Sequence, residues 1–253
     1  MNTTVPRGCL RQMDIRTMEL LFIGAVIFVS SFLQGMFGFA FVLTGMPLLL
    51  LFLNIKFVAP LIALFLPLIT GILIFQFRTG FIYRKIVPLI AGSLFGVPLG
   101  IYILDEFSDK LMKSILGLII ITYSIYSLLI KKVTWKLPDW TAYLFGLAAG
   151  ILGGVYNTTG PPAVLYVSNR DWSKMEIIAS LNFFIFTTSI LVLLFHLISG
   201  NITSEIAVTF LKLTPVMILG MLTGIYSTRK LSEIRYRKAL YVLLIVMGVM
   251  LIL

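Results

Sequence analysis

The chain has 253 residues, 59% of them hydrophobic and 12% charged, with a mean hydropathy of +1.05 and a net charge of +10. Soluble domains carry about a quarter charged residues, so a fold written for water is excluded. A nucleic-acid groove is excluded too, because the cations sit in short loops between apolar runs.

In chain order, residues 1–19 form a polar N-terminal tail holding Arg7, Arg11, Asp14, Arg16 and Glu19. No small-residue cleavage signal follows the apolar run beyond it, so the first helix reads as its own insertion signal, with Met13 as an alternative start. Leu20 to Leu53 then runs thirty-four residues without a charge. That is too long for one span of roughly 20 residues and too short for two plus a turn. Full spans are expected at 57–77, 82–104 and 110–130, followed by a cytoplasmic linker at 131–139. A second anomalous run, Trp140 to Ser168, has twenty-nine uncharged residues. Spans at 175–198, 206–226 and 236–253 complete the chain.

Both anomalous runs carry a Gly/Thr/Pro break in their second part, "GFAFVLTGMP" (38–47) and "GGVYNTTGPP" (153–162). Backbone that stops being helical in hydrocarbon is tolerated only where it is buried in protein or lines a cavity. Short helices meeting at a break, as a re-entrant or broken pair, are therefore expected. At a shift of 115 residues Gly35 falls on Gly150, Gly38 on Gly153, Thr44 on Thr159, Gly45 on Gly160 and Pro47 on Pro162. "GVPLGIY" (96–102) falls on "GMLTGIY" (220–226) at a shift of 124. Residues 20–130 and 140–253 thus read as two copies of one module. Loop 78–85 has three basic residues while its counterpart 199–205 has none, so matching loops should face opposite sides. The expected fold is an all-α polytopic membrane protein of two inverted repeats, each a broken or re-entrant helix pair plus three transmembrane helices.

Inverted repeats with broken helices are the layout of secondary transporters, whose anion sites lie near the midplane at half-helix N-termini. A proline just after a turn fits the first turn of a new helix, whose positive dipole end and free N–H groups would face the break. Thr44 and Thr159 read as equivalent hydroxyls before it, with Gly45 and Gly160 allowing close approach and Asn157 and Thr158 adding donors. Tyr156 either donates to an anion or packs. Gln34 and Asn182 either line the cavity or hold helices together. His196, near the outer end of its span, is an interfacial residue or a proton handle. The alternative for the whole constellation is a packed kink, since small residues are common at membrane helix contacts.

The paired stretches "QGMFGFAFVLTGMPLL" (34–49) and "GILGGVYNTTGPPAVL" (150–165) resemble the duplicated glycine/proline signature of the sulfite exporter (TauE/SafE) family. The resemblance covers nearly the whole chain from about residue 20. It implies movement of small sulfur-containing anions such as sulfite, sulfoacetate or other sulfonates, usually outward, in the cell membrane.

One cysteine, Cys9, and one histidine, His196, exclude an internal disulfide and an ordinary zinc site, and no cofactor is expected. No hydrolytic constellation surrounds His196. No Asp or Glu lies in the middle of a span, so coupling through an intramembrane carboxylate has no support. Outward anion movement needs none: an inside-negative potential contributes about 2.3 kcal/mol per charge per 100 mV, close to fortyfold in ratio. A channel-like or proton-coupled permease for another small anion, or a non-transporting membrane partner, stays open at this stage. The expected partners are a small sulfur anion and the lipid bilayer, without nucleic acid.

Overall fold

In a computed structural model, which describes residues 7–37, 40–76, 83–129, 138–168, 170, 172–227 and 233–253, the chain is all helical, with no strand among the described residues. The helices are α1 (Arg7–Phe37), α2 (Phe41–Leu50), α3 (Ile55–Gln76), α4 (Tyr83–Glu106), α5 (Asp109–Leu129), α6 (Thr141–Tyr156), α7 (Gly160–Ser168), α8 (Lys174–Ile198), α9 (Ser204–Ser227) and α10 (Glu233–Ile252). The tail expected at 1–19 has no structural boundary at residue 19, because α1 is helical from Arg7 through to Phe37. Most of the charged loops behind the topology argument, at 77–82, 131–137 and 228–232, lie outside the described residues.

Among the described residues, five segments are long and apolar enough to cross a bilayer: Met18–Met36, Ile55–Ile74, Lys85–Glu106, Ala179–Ile198 and Ser204–Ser227. This is a multi-pass membrane protein. The two anomalous runs differ from each other. Leu20–Leu53 holds a full span followed by the ten-residue α2, so two short helices were the wrong expectation there. Trp140–Ser168 holds two short helices of 16 and 9 residues. At about 1.5 Å per residue neither crosses a hydrocarbon core of about 30 Å.

Helices far apart in sequence make the main contacts: α1 runs along α9, α4 along α6, α5 along α10, and α3 packs on α8. Glycines set the separations. Gly92, Gly96 and Gly100 of α4 lie against the backbone of α6, whose Gly146, Gly150 and Gly154 lie against α4. A Cβ on Gly150 would stand 2.7 Å from the Ser93 carbonyl oxygen and 2.9 Å from Gly96 Cα. Gly35, Gly220 and Gly224 do the same for α1 and α9, as do Gly117 and Gly248 for α5 and α10. With no hydrophobic drive between helices in lipid, this close backbone approach supplies the packing energy. α3, apolar on every side, takes the centre, with Leu61, Ile62, Phe65 and Ile69 fully buried.

Polar contacts define the two ends of the bundle. At one, Arg170 pairs with Asp139 at 2.6 Å and Lys85 lies 5.5 Å from the centre of the Trp172 ring, gathering the starts of α4, α6 and α8. At the other, Asp109 Oδ1 accepts from the Ile55 N–H at 2.7 Å, and Asp105 Oδ1 accepts from Asn201 Nδ2 at 3.1 Å. The α8–α9 connection therefore lies at the opposite end of the bundle from the start of α4.

Candidate functional site

The first break follows Phe37. Residues 38 and 39 lie outside the described residues, Ala40 precedes α2, and Gln34, one turn back on α1, accepts the Phe41 N–H on its Oε1 at 2.8 Å. The side chain thus satisfies the first N–H of α2. The carbonyls four residues before Val42 and Leu43 belong to residues 38 and 39, outside the described residues. Thr44 opens the regular ladder, its N–H reaching the Ala40 carbonyl at 3.0 Å and its hydroxyl donating to the same oxygen at 2.8 Å.

The second break is built differently. Asn157 takes a left-handed conformation (φ 57°, ψ 15°) just past α6, and the Thr158 N–H reaches back to the Leu152 carbonyl at 3.2 Å. This is a helix ending usually given to glycine, with asparagine next best. Asn157 Nδ2 donates to the Ala59 carbonyl of α3 at 2.8 Å, and the Thr158 hydroxyl to the Tyr156 carbonyl at 3.0 Å. The Tyr156 hydroxyl donates to the Met112 carbonyl of α5 at 2.9 Å. Pro161 and Pro162 follow Gly160 in the first turn of α7 and leave that turn short of two N–H donors.

One cleft joins the two breaks. Val42, Leu43, Met46 and Pro47 of α2 face Tyr156, Thr158 and Pro161 across it, with Leu116, Ile119, Ile120 and Tyr123 of α5 closing one wall. Its interior of about 10 Å³ is the space of a single water. In this conformation it is closed to an oxyanion.

Several expectations need correction. Thr44 and Pro47 do not flank the break: both lie inside α2, one and nearly two turns from its start. Phe37 and Tyr156, Phe41 and Gly160, and Ile55 and Lys174, which end or begin matching helices, are each 119 residues apart, one turn more than the 115 of the motif overlay. The glycine contacts agree with the larger offset. Gly35 packs on Met221 and Ile225, and Gly154 rather than Gly150 packs on Val97 and Ile101.

The expected lining rich in side-chain donors is not there. Thr44, Asn157 and Thr158 give their hydrogens to backbone carbonyls, and Thr159 turns its methyl group toward Gly153. Gly45 lies against Ser30 of α1, outside the cleft. Gly160 is not a point of close approach, since a Cβ there would meet nothing within 4 Å. Asn182 is half-buried on α8 and away from the cleft. His196 is fully buried and lies in the last turn of α8 beside Asn201. Sequence reasoning missed Val42, Leu43 and Tyr123, because apolar side chains give no sign that a cleft runs beside them.

Over residues 23–251 the chain matches the family described as Sulfite exporter TauE/SafE. It belongs to the TauE/SafE family. It is also 24% identical over 176 residues to a protein of Cupriavidus necator named "Probable sulfite/organosulfonate exporter TauE", covering 68% of each chain. No solved structure matches. Members of the TauE/SafE family are transporters, not enzymes, and the family supports membrane transport of sulfur anions by this chain. Within that family assignment, the cleft between the breaks is where the first turns of α2 and α7 come together.

Proposed function

We propose that this TauE/SafE protein exports small sulfur-containing anions, sulfite, sulfoacetate or related sulfonates, across the cell membrane through the cleft between its two helix breaks. The observation that carries the reading is that the first turns of α2 and α7 line the same cleft. Both turns present the positive end of a helix dipole. The N–H groups of Val42 and Leu43 are the donors for the anion, and the Pro161 turn gives shape and field with fewer hydrogens. Thr158 borders the anion, while Gln34, Thr44, Gly45, Asn157 and Thr159 hold the breaks. Export follows the inside-negative potential and needs no coupled ion.

Residues 20–130 and 140–253 act as two inverted repeats, with 131–139 as the cytoplasmic linker. The reciprocity of the packing supports this reading. Exchanging the halves turns α1 on α9 into α6 on α4, and returns α3 on α8 and α5 on α10 to themselves. The end holding Lys85 and Trp172 is then cytoplasmic and the end holding Asp105 and Asn201 is outside. Rocking of one half against the other would widen the closed cleft toward each side in turn.

The test is anion flux in proteoliposomes under an imposed potential, and separately under a proton gradient. Sulfite or sulfoacetate flux that follows the potential, with sulfate and chloride excluded, is the expected result. Flux that needs the proton gradient would overturn the uncoupled mechanism, and no flux of any sulfur anion would overturn the function.

A further inference from the structure

The closest helix seams join one sequence repeat to the other, so the parts of the bundle that hold together are not the repeats themselves. α1, α2 and α3 pack with α9 of the second repeat, and α6, α7 and α8 pack with α4 of the first. Exchanging the repeats turns one of these four-helix bodies into the other. Ring contacts respect the same division. Phe65 meets Phe41 and Phe210 within the first body, with centres 6.2 and 4.9 Å apart, and Phe145 meets Tyr166 within the second at 5.9 Å. The buried cluster that runs from Ile86 and Leu89 to Phe184 is drawn from the second body alone. The bodies meet along α3 and α8, where the Thr70 and Ser189 hydroxyls lie 3.4 Å apart. These residues are separated by 119 positions, the offset of the matching helix ends, so this contact marks the axis of the exchange.

The remaining helices, α5 and α10, meet at Gly117 and Gly248 and exchange with each other. A symmetric pair between two symmetric bodies would touch both alike, and this one does not. Met112, Leu116 and Ile120 of α5 and Leu244 and Leu251 of α10 belong to the hydrophobic cluster of the first body, and both helices pack on α2. Among the described residues α7, the counterpart of α2, packs on neither to that degree, and the cleft lies between instead. From the second body only Leu104, Val155 and Tyr156 reach that cluster. They do so near the Asp105 end, where the Tyr156 hydroxyl donates to the Met112 carbonyl at 2.9 Å.

We infer that the α5–α10 pair is the gate of the cleft: it is docked here on α2 and α3, and it docks on α7 and α8 in a second conformation, the image of this one under exchange of the repeats. Such bistability is how packed helices move, between discrete arrangements rather than by continuous deformation. The inference rests on the proposed transport by inverted repeats and refines its rocking motion: the rocking units are mixed bodies, and α5 with α10 changes sides. Exchange also inverts the ends, so the Tyr156–Met112 tie is broken in the second state. The counterpart of Tyr156 is Phe37, which has no hydroxyl. The second state gains no such bond in return, and the sequence favours the conformation described here.

Spin-label distances in lipid nanodiscs test this, with and without sulfite, in full-length protein carrying Cys9→Ser. Leu118 of α5, Phe52 just past α2 and Val164 of α7 are exposed, so labels there leave the packing intact. Leu118→Cys with Val164→Cys should show a second, shorter distance, displaced by about 5 Å, the scale of one helical turn. Leu118→Cys with Phe52→Cys should show a second, longer one. Tyr156→Phe should raise both second populations about fivefold, the worth of one hydrogen bond. Phe95→Cys with Tyr143→Cys, and Phe28→Cys with Leu219→Cys, flank the seams inside each body and should keep one distance. A single distance for both α5 pairs in both conditions overturns the inference. A shift across either seam also overturns it, since the repeats would then move as whole units. If Tyr156→Phe does not fold, the distances in the otherwise wild-type protein decide. Two distances in protein that carries no anion would remove the transport reading and leave the gate, whereas flux with single distances would remove the gate alone.

Discussion

The two breaks stop a helix by opposite means. At the first, a side chain from the preceding helix does the work: Gln34 reaches across the gap and takes the first N–H of α2. At the second, the chain's own backbone does it, with Asn157 left-handed and two prolines that cannot continue a hydrogen-bond ladder. The first turn of α2 thus carries an N–H on every residue, while that of α7 lacks two. On the proposed reading, an anion would be held from the α2 side of the cleft and shaped from the α7 side.

The largest effect expected from breaking this comparison is at the seam that supports the second break. Gly150→Val would drive a side chain into the Ser93 carbonyl and Gly96 Cα, neither of which can turn away. A destabilisation of about 3 kcal/mol or more is expected, seen as loss of a monodisperse peak in detergent or a much lower unfolding midpoint. An unchanged midpoint would mean that α4 and α6 do not pack this closely.

Gln34 comes next. Gln34→Leu orphans the Phe41 N–H and should cost about 1–3 kcal/mol of stability. Gln34→Glu still accepts that N–H but places a negative charge at the start of α2. It should fold with a near-normal midpoint and bind sulfite at least tenfold more weakly. Normal affinity in Gln34→Glu would move the anion away from the first break.

A smaller contrast separates two glycines of the second break. Gly160→Ala meets no neighbour and should change the midpoint and flux little, within about 0.5 kcal/mol. Gly153→Ala places a Cβ 2.5 Å from Thr159 Cγ2 and should lower both. Equal tolerance at the two positions would show that Thr159 rotates freely.

The smallest effect concerns the starts of α3 and α8. α3 borrows its cap from Asp109 of α5, while α8 caps itself, Ser173 and Glu176 accepting each other's N–H groups. Hydrogen bonds from the Ser173 N–H and hydroxyl hold the Glu176 carboxyl below the ordinary carboxylate range. Its stabilising effect is present above that ordinary range and is lost as pH falls through the lowered value. Ser173→Ala should therefore lower the unfolding midpoint more near neutral pH than in acid, where only the non-titrating serine cap is lost. A gap of the same size at both pH values would assign the effect to the serine cap alone.

Much of the fold is legible because membrane spans are written in composition. The runs at 57–77, 82–104, 110–130, 175–198, 206–226 and 236–253 correspond to α3, α4, α5, α8, α9 and α10 with ends a few residues apart. The breaks were legible as existing, and the second was placed correctly. The first was misplaced because Thr-Gly-x-Pro recurs one turn too late. Membrane helices tolerate glycine and proline inside them, so the motif does not itself say where the helix stops. What caps the new helix is Gln34, whose partner is seven residues away and whose role depends on the angle between two helices. The partner of Asn157 was hidden for the same reason, since Ala59, which accepts from its Nδ2, is a neighbour only in space.

The seam between α1 and α9 has a consequence for how the chain is made. α1 is complete at Phe37, but the glycines that receive it, Gly220 and Gly224, lie near the end of the chain. At about 5–20 residues per second of synthesis, α1 must wait on the order of ten seconds or more in the bilayer with its packing face against lipid or an insertion factor. A ribosome that stalls before α9 leaves an unclosed intermediate, the form a membrane quality-control protease should remove. Two separately expressed halves should each be short-lived alone and persist when made together.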